Sequence, residues 1–373
     1  MRNFCHNLLL LGLCISLASA SQIKYSTVTG FFLQDLNTTN TTTFDYSTQN
    51  LGLINQAYDS DKDCPNVNKL TQWQKFEYQL AQLNHKSSKN IEYKLLYLGR
   101  HGEGWHNAAE TFYGTPAWNC YWAELDGNAS ASWVDAKLTA NGIAQAQKAH
   151  NFWANAISVQ RIPTPNKFYT SPLSRCLATA NITFTGLNLP KKKKFVPVVK
   201  EYLREGMSIH TCNWRSNKTY IQNTYPGFKV ESGFSEFDNL WNGVTSETST
   251  AQDLRSKALL DDIFSSEKGS YHSCTSHSGE VASLLRVLGH IPFSLSTGAI
   301  IPVLVKAEIL SGSALATSAT WTASAHCTVP PVTSISNGAC VCPSSAAPVT
   351  TPLVLEQPTV SPSFTFVAST KAF

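Results

Sequence analysis

The sequence predicts an α/β fold: a three-layer α/β/α sandwich with a mostly parallel central sheet. Between residues 90 and 310, short apolar runs typical of buried strands alternate with helical patterns. A strand, a crossover helix and a second strand are typical of a parallel sheet covered by helices on both faces. The 373 residues, 42% of them hydrophobic, also exclude a wholly disordered chain.

The predicted strands are 94–98, 167–170, 195–199, 271–275 and 299–305. Ahead of them, apolar residues at helical spacing over 70–83 predict an amphipathic helix. Between the first two strands, Thr139 is predicted to cap a helix that has one apolar face, made of Ile143, Ala146, Ala149 and Trp153.

Two further helices are expected directly after strands. Ser171 and Pro172 suit the N-cap and the first position of a helix that carries Arg175. A second helix covers 280–288 and ends at Gly289.

Charged and titratable residues follow four of the predicted strands: Arg100 with His101, then Arg175, Glu205 and His277. Ligands bind outside the carboxyl ends of strands in such sheets, so these side chains are expected to converge at one edge. Two arginines can hold phosphate oxygens through paired hydrogen bonds. A neutral imidazole can act as the nucleophile, and a carboxylic acid can protonate the departing alcohol.

Two properties of that imidazole are expected from the chemistry. The neighbouring arginine charges should keep it unprotonated. Its second ring nitrogen should be held by another acceptor, for which a backbone carbonyl is the best candidate.

Five segments resemble motifs of the histidine phosphatase superfamily, in its phosphoglycerate mutase-like branch. Residues 100–107 read RHGEGWHN, as in R-H-G-E-x-x-x-N, and residues 135–146 resemble D-x-x-L-T-x-x-G-x-x-Q-A. Residues 170–175, 203–212 and 276–280 resemble the segments that carry the second arginine, the acid and the second histidine. The resemblance covers about residues 90–310 and is strongest to fungal phosphomutase-like secreted phosphatases.

The resemblance implies a role for six residues. His101 matches the phosphorylated histidine and Glu205 the proton donor, and the phosphate-binding positions are Arg100, Arg175, His277 and Asn107. It implies a small-molecule phosphate monoester as substrate and no metal or organic cofactor. Two positions depart from related sequences, since Ser208 replaces a glycine and Asn213 an aspartate.

The chain is predicted to have four parts: a signal peptide (1–20), an N-terminal extension packing on the catalytic domain (21–89), a histidine phosphatase catalytic domain (90–310) and a Ser/Thr/Pro/Ala-rich tail (311–373). The end of the tail is expected to be unpacked.

The first twenty residues predict secretion. Arg2 precedes a short apolar run, and Ala18-Ser19-Ala20 forms an A-x-A cleavage pattern. A membrane anchor is the alternative, but the run is shorter than a bilayer span. The chain is therefore expected to be secreted, extracellular or cell-wall associated, without a membrane span.

Because secreted proteins can be glycosylated and disulfide-bonded, the N-x-S/T sequons and the cysteines are candidate modification sites. The candidate N-glycan sites are Asn37, Asn40, Asn128, Asn181 and Asn217. Eight cysteines follow the signal peptide, and their pairing stays open. Cys340 and Cys342 lack the partner pair of a zinc site.

Three functions remain open at this point: a secreted phosphatase that forms a phosphohistidine, a phosphoglycerate mutase-type phosphomutase, and a non-catalytic secreted or cell-wall binding protein. The net charge of +4 is too small to indicate a nucleic-acid binder.

Three further features have alternative interpretations. The run 191–194 of four lysines is a solvated loop or a cationic rim that attracts polyanionic substrates. Cys176 and Cys212, beside the predicted site, are read as free buried thiols. Four tryptophans form a satellite core or stack on a substrate: Trp105, Trp118, Trp122 and Trp133.

Overall fold

The computed structural model describes residues 21–312, 318–331, 340–351 and 353, so the predicted signal peptide and the end of the tail lie outside the described residues. The strands are β1 (Ser21–Thr27), β2 (Ile91–Arg100), β3 (Lys167–Thr170), β4 (Val198–Val199), β5 (Lys229–Val230), β6 (Thr245–Glu247), β7 (Tyr271–Ser276), β8 (Ile300–Ser311) and β9 (Trp321–Ala323). The helices are α1 (Gln72–Lys86), α2 (Trp105–Tyr113), α3 (Thr115–Cys120), α4 (Ala140–Asn155), α5 (Ser174–Phe184), α6 (Lys218–Thr224), α7 (Ser249–Ser266) and α8 (Ser278–Val287).

Seven strands form the central sheet, in the order β1-β8-β2-β7-β3-β4-β5. The neighbours from β2 to β5 pair in parallel, whereas β8 pairs antiparallel with both β2 and β1. The prediction of a mostly parallel sheet is confirmed. The edge strand β1 comes from the predicted N-terminal extension, which therefore contributes a strand to the central sheet.

Both faces of the sheet are covered, which explains why the centre of β2 is apolar without alternation. Leu96 and Leu98 belong to a core with residues of α7 and α8, such as Leu259. Leu95 and Tyr97 point to the other face and pack in a core that contains residues of α1, α4 and α5. The two cores give the predicted three-layer arrangement.

The helix predicted over 70–83 is present as α1, and its first turn is closed by side-chain hydrogen bonds. Thr71 is the N-cap of α1, and its hydroxyl accepts a hydrogen bond from the Gln74 N–H while the Gln74 side chain accepts one from Thr71 N–H. This reciprocal pair satisfies two of the N–H groups that a helix start leaves open.

Three local predictions are wrong. Ile143 is 50% exposed, because α4 buries the stripe through Gly142 and Ala146 and the next residue is turned about 100° away. Ser171 is not a helix cap, since α5 begins at Ser174 after an N-cap residue, Leu173, that has no side-chain hydrogen bond. The strand predicted over 195–199 is reduced to β4, because Pro197 has no N–H to donate to a ladder.

The described part of the tail packs on the body of the protein. Its strand β9 pairs antiparallel with β6, and disulfides join Cys120 to Cys340 and Cys327 to Cys342. The unpacked end that the sequence predicts lies outside the described residues. None of the described helices has the length and hydropathy that crossing a membrane requires.

Candidate active site

His101 follows β2 directly and is buried, and both of its ring nitrogens have partners. Nδ1 lies 2.7 Å from the carbonyl oxygen of Gly102, and Arg175 Nε donates to Nε2 over 3.2 Å. A carbonyl can only accept and a guanidinium can only donate, so the proton sits on Nδ1 and the lone pair on Nε2. The expected backbone acceptor is therefore present.

The imidazole of His101 is kept neutral. Burial is the largest cause that holds its pKa well below the usual value, and the charges of Arg175 and Arg100 lower the pKa further. The prediction of an unprotonated ring is confirmed, although desolvation contributes more than the arginines from which the prediction was made. Nε2 therefore carries no proton at neutral pH, and its lone pair accepts from Arg175 Nε.

The two arginines approach His101 from different elements. Arg100 ends β2 and donates from Nη1 to the carbonyl of Leu295 at 2.8 Å, while its buried Nε has no partner among the described residues. Arg175 lies on the first turn of α5, is 1% exposed, and donates from Nη1 to Cys212 O at 2.8 Å. Backbone carbonyls therefore hold both guanidinium groups in place.

His277 is the second histidine at this edge of the sheet. Its ring centroid lies 5.0 Å from that of His101, and burial together with the charge of Arg175 holds its pKa well below the usual value. Its Nε2 contacts the Ser171 hydroxyl at 2.8 Å and the Cys176 thiol at 3.3 Å. The sequence did not indicate this role for Ser171, although its place at the end of β3 is a usable signal.

Glu205 is half-buried and its carboxylate is held at the N-terminus of α8. It accepts hydrogen bonds from Gly279 N at 3.2 Å and Glu280 N at 3.0 Å, and one from Gly206 N at 2.9 Å. Because α8 starts immediately after His277, these bonds place the carboxylate beside that histidine. Glu205 also interacts electrostatically with Arg100.

Asn107, the sixth predicted site residue, uses its side-chain oxygen in a local turn. It lies on α2, and its Oδ1 accepts from Gly104 N at 3.0 Å, which closes the turn after His101. Only its amide nitrogen is left for a phosphate oxygen. Among the described residues, no group of three His, Cys, Asp or Glu side chains is arranged to hold a metal ion.

Two motif glycines are explained by a close backbone approach. A Cβ on Gly102 would lie 2.3 Å from Gly142 O, and a Cβ on Gly142 would lie 2.0 Å from Glu103 O. The turn that carries His101 therefore packs directly against the start of α4, where only glycine fits.

Ser208 and Asn213, the two residues that differ from related sequences, contact each other. Asn213 Nδ2 donates to Ser208 Oγ at 2.9 Å and to Gly206 O at 2.9 Å. The loop after Glu205 is thus closed by a hydrogen bond that uses both departing residues.

An aromatic cluster packs beside the site. Trp118 and Trp133 are buried with Cys212, and Trp122 stacks on Tyr113 with ring centroids 4.1 Å apart. The satellite core is confirmed for three of the four tryptophans, whereas Trp105 is 42% exposed on α2. Cys176 and Cys212 are free and buried, as predicted.

His106 also lies at the site, although it is not among the residues predicted there from the sequence. Its ring centroid lies 5.4 Å from that of His101, and its buried Nδ1 has no partner among the described residues. Burial and the charge of Arg175 lower its pKa well below the usual value.

The lysine run 191–194 lies at the opposite edge of the sheet. Lys193 Nζ donates to Thr164 O at 2.9 Å and lies 5.7 Å from the centroid of the Tyr271 ring, both at the amino ends of strands. The run therefore does not form a rim around His101.

We expect His272, which is buried at the start of β7, to destabilise the fold at low pH. Burial and the nearby Lys94 lower its pKa to about 4. Since the unfolded chain takes up the proton near pH 6.5, the stability is complete above that pH and declines as the pH falls. His272→Gln should reduce the slope of unfolding free energy between pH 6.5 and 5 by about 1.4 kcal/mol per pH unit. Urea denaturation of both proteins at several pH values measures this slope, and equal slopes in the two proteins would contradict the expectation.

Comparisons with known proteins identify the family of the chain. The family profile described as histidine phosphatase superfamily (branch 1) matches residues 122–301, which include Arg175, Glu205 and His277 and begin after His101. A "Probable phosphoglycerate mutase" of Arthroderma benhamiae is 48% identical over 286 residues, or 77% of this chain and 85% of the relative.

Two more fungal relatives match. A "Phosphomutase-like protein 3" of Candida albicans is 43% identical, over 58% of this chain and 66% of the relative. A second "Probable phosphoglycerate mutase", from Saccharomyces cerevisiae, is 34% identical over 60% of this chain and 82% of the relative. The chain belongs to the histidine phosphatase superfamily.

Proposed function

We propose that this protein is a secreted phosphatase that hydrolyses small phosphate monoesters through a phosphohistidine on His101. The observation that carries the proposal is the state of the His101 ring. Nδ1 is held by a backbone carbonyl, so the Nε2 lone pair faces a site flanked by Arg175.

The proposed first step transfers the phosphoryl group to the enzyme. The Nε2 lone pair of His101 forms a bond to phosphorus while the bond from phosphorus to the ester oxygen breaks. Arg100, Arg175 and His277 bind the phosphoryl oxygens, whose charge develops in the transition state. Glu205, in its protonated form, gives its proton to the departing alkoxide, so the product leaves as an alcohol.

The second step restores the enzyme. Glu205, now a carboxylate, takes a proton from a water molecule as the water oxygen attacks phosphorus. The nitrogen–phosphorus bond breaks, its electron pair returns to Nε2, and inorganic phosphate leaves. Glu205 is protonated again at the end of the cycle.

A phosphomutase is the second candidate, because two relatives carry the name "Probable phosphoglycerate mutase". One assay distinguishes the candidates. The purified protein is incubated with p-nitrophenyl phosphate and, separately, with 3-phosphoglycerate, and free phosphate and 2-phosphoglycerate are measured. Release of phosphate from both supports the phosphatase, isomerisation without net release supports the mutase, and neither supports a non-catalytic binding protein.

We expect substitutions of Arg175 and Glu205 to differ in their effect on phosphate binding. Arg175→Ala removes a charge-assisted donor, so it should weaken inorganic phosphate binding and slow turnover by about 10²–10³. Glu205→Gln should slow turnover but leave phosphate binding nearly unchanged. Calorimetric titration with phosphate and steady-state kinetics measure both. An equal loss of phosphate affinity in the two variants would contradict this division of roles.

Secretion is part of the proposal, and the two disulfides support it because such bonds persist in oxidising compartments. We expect N-glycans first at the three exposed sequons: Asn37, Asn40 and Asn128. The other two proposed sites, Asn181 and Asn217, are half-buried. Peptide mass spectrometry of protein from the medium, after enzymatic deglycosylation, reports each site. Unmodified asparagine at all three exposed sites would contradict the expectation.

A further inference from the structure

The edge of the sheet opposite His101 carries a concentrated positive charge. The segments 86–90, 161–167, 190–197 and 266–270 lead into β2, β3, β4 and β7. They contain a single acidic residue, Glu267, and nine basic residues: Lys86, Lys89, Arg161, Lys167, Lys191, Lys192, Lys193, Lys194 and Lys268. We call these four segments the amino-edge face.

The charge is segregated rather than spread over the molecule. The amino-edge face carries nine positive charges and one negative charge, whereas the whole chain has a net charge of +4. The residues outside the face therefore carry a net charge of −4. A face of one sign on a body of the opposite sign attracts a partner to one place.

Most of these cations are unneutralised. Seven are exposed and have no ion-pair partner among the described residues: Lys86, Lys89, Arg161, Lys191, Lys192, Lys194 and Lys268. Glu267 is already paired with Lys167 at 3.0 Å, and Glu92 at the start of β2 is paired with Lys94 at 2.8 Å. On α1, Glu77 lies near Lys193.

The width of the face favours a polymer over a small anion. The four segments enter adjacent strands in the order β2-β7-β3-β4, which spans about 14 Å at about 4.8 Å per strand. Lys193 is anchored on Thr164 O, which holds the lysine run against the start of β3. A single phosphate group contacts only a few of these side chains, whereas a chain of repeated negative charges contacts them together.

The composition of the face favours a hydrated polymer over a bilayer or a nucleic acid. Val196, at 37% exposure, is the one large exposed hydrophobic residue among these four described segments. Insertion into a bilayer uses an apolar face, and binding of single-stranded nucleic acids uses exposed aromatic rings. Eight of the nine cations are lysines, which act as hydrated point charges rather than as planar forks.

We propose that the amino-edge face is a docking site for an anionic polysaccharide, whose bound chain leaves the opposite edge with His101 open. The site needs no catalytic residue, so its binding and turnover are separable.

The test uses the full mature protein and two matched triple variants. Lys191→Gln, Lys192→Gln and Lys194→Gln remove three charges from the face. Lys24→Gln, Lys62→Gln and Lys218→Gln remove three charges elsewhere, on β1, in the turn 59–63 and on α6, and these lysines also have no ion-pair partner among the described residues. Binding to heparin and to polygalacturonate is measured at increasing NaCl, together with thermal unfolding and p-nitrophenyl phosphate turnover.

We expect the wild-type protein to bind both polysaccharides and to be released by salt, since exposed charges are screened. The face variant should bind about tenfold more weakly, as three exposed contacts are lost, with turnover unchanged, while the control variant keeps its affinity. Equal losses in both variants would show a net-charge effect only and overturn the proposal. Absence of wild-type binding, or tighter binding to phosphatidylserine vesicles or single-stranded DNA than to either polysaccharide, would overturn it as well.

Discussion

His101→Ala should abolish turnover while leaving the fold intact. Loss of a catalytic nucleophile costs about 10⁴-fold or more in rate, because the residual binding groups cannot form the covalent intermediate. Reactions with a ³²P-labelled ester, quenched with alkali and detergent, should trap label on the wild-type protein that is stable in alkali and released by acid, and none on the variant.

The control variants separate the loss of the nucleophile from the loss of the hydrogen bond between His101 and Arg175. Arg175 Nε donates to His101 Nε2, so alanine removes a buried acceptor and lowers stability as well as activity. His101→Gln keeps a polar side chain and separates the two effects, since it offers no nucleophilic nitrogen. His150→Ala removes a histidine whose Nδ1 contacts Thr183 O and should retain turnover. Substantial turnover by either folded His101 variant would remove His101 from the nucleophile role.

The convergence of the site was predictable because it depends on topology and little on local detail. Arg100, Arg175 and His277 follow parallel strands, and parallel strands end at one edge of a sheet. β2 was predictable for a related reason, since helices on both faces make its central residues uniformly apolar. These patterns are present in short stretches of sequence.

The details that failed depend on contacts between distant segments. Ser171 has the composition of a helix cap, but its hydroxyl meets His277, 106 residues away in the chain. The bond between Cys120 and Cys340 spans 220 residues, so no local spacing indicates it. His106 became part of the site only through the direction in which α2 leaves the turn after His101.

Glu205→Gln should affect the phosphorylation step in proportion to how poorly the alcohol leaves. An alkyl ester such as glycerol phosphate needs a proton on its departing oxygen, so its phosphorylation rate should fall by about 10²–10⁴. A nitrophenyl ester leaves well without a proton, and its phosphorylation rate should fall far less. Dephosphorylation should slow equally for both, because the leaving group has already departed.

The variant needs a stability control, because the Glu205 carboxylate also serves the start of α8. It accepts from Gly279 N and Glu280 N, and a glutamine turns an N–H₂ group toward one of these donors. Thermal unfolding with and without phosphate measures that cost. Glu103→Gln is the matched control, because this carboxylate bonds Thr139 Oγ1 at 2.6 Å and should not respond to the leaving group.

Single-turnover kinetics on the two esters, with formation and decay of the phosphoenzyme followed separately, decides the role of Glu205. Equal loss of the formation rate for both esters would remove it as the general acid. The structure also limits the alternatives, since Asp135 uses both oxygens on Ser174 and Ser216. A proton donor at Asp135 would have to break buried hydrogen bonds that hold the start of α5, where Arg175 lies. The donors to Glu205 are instead Gly206 N, at the next residue, and the first residues of α8, so a proton exchange there leaves the bonds at the start of α5 in place.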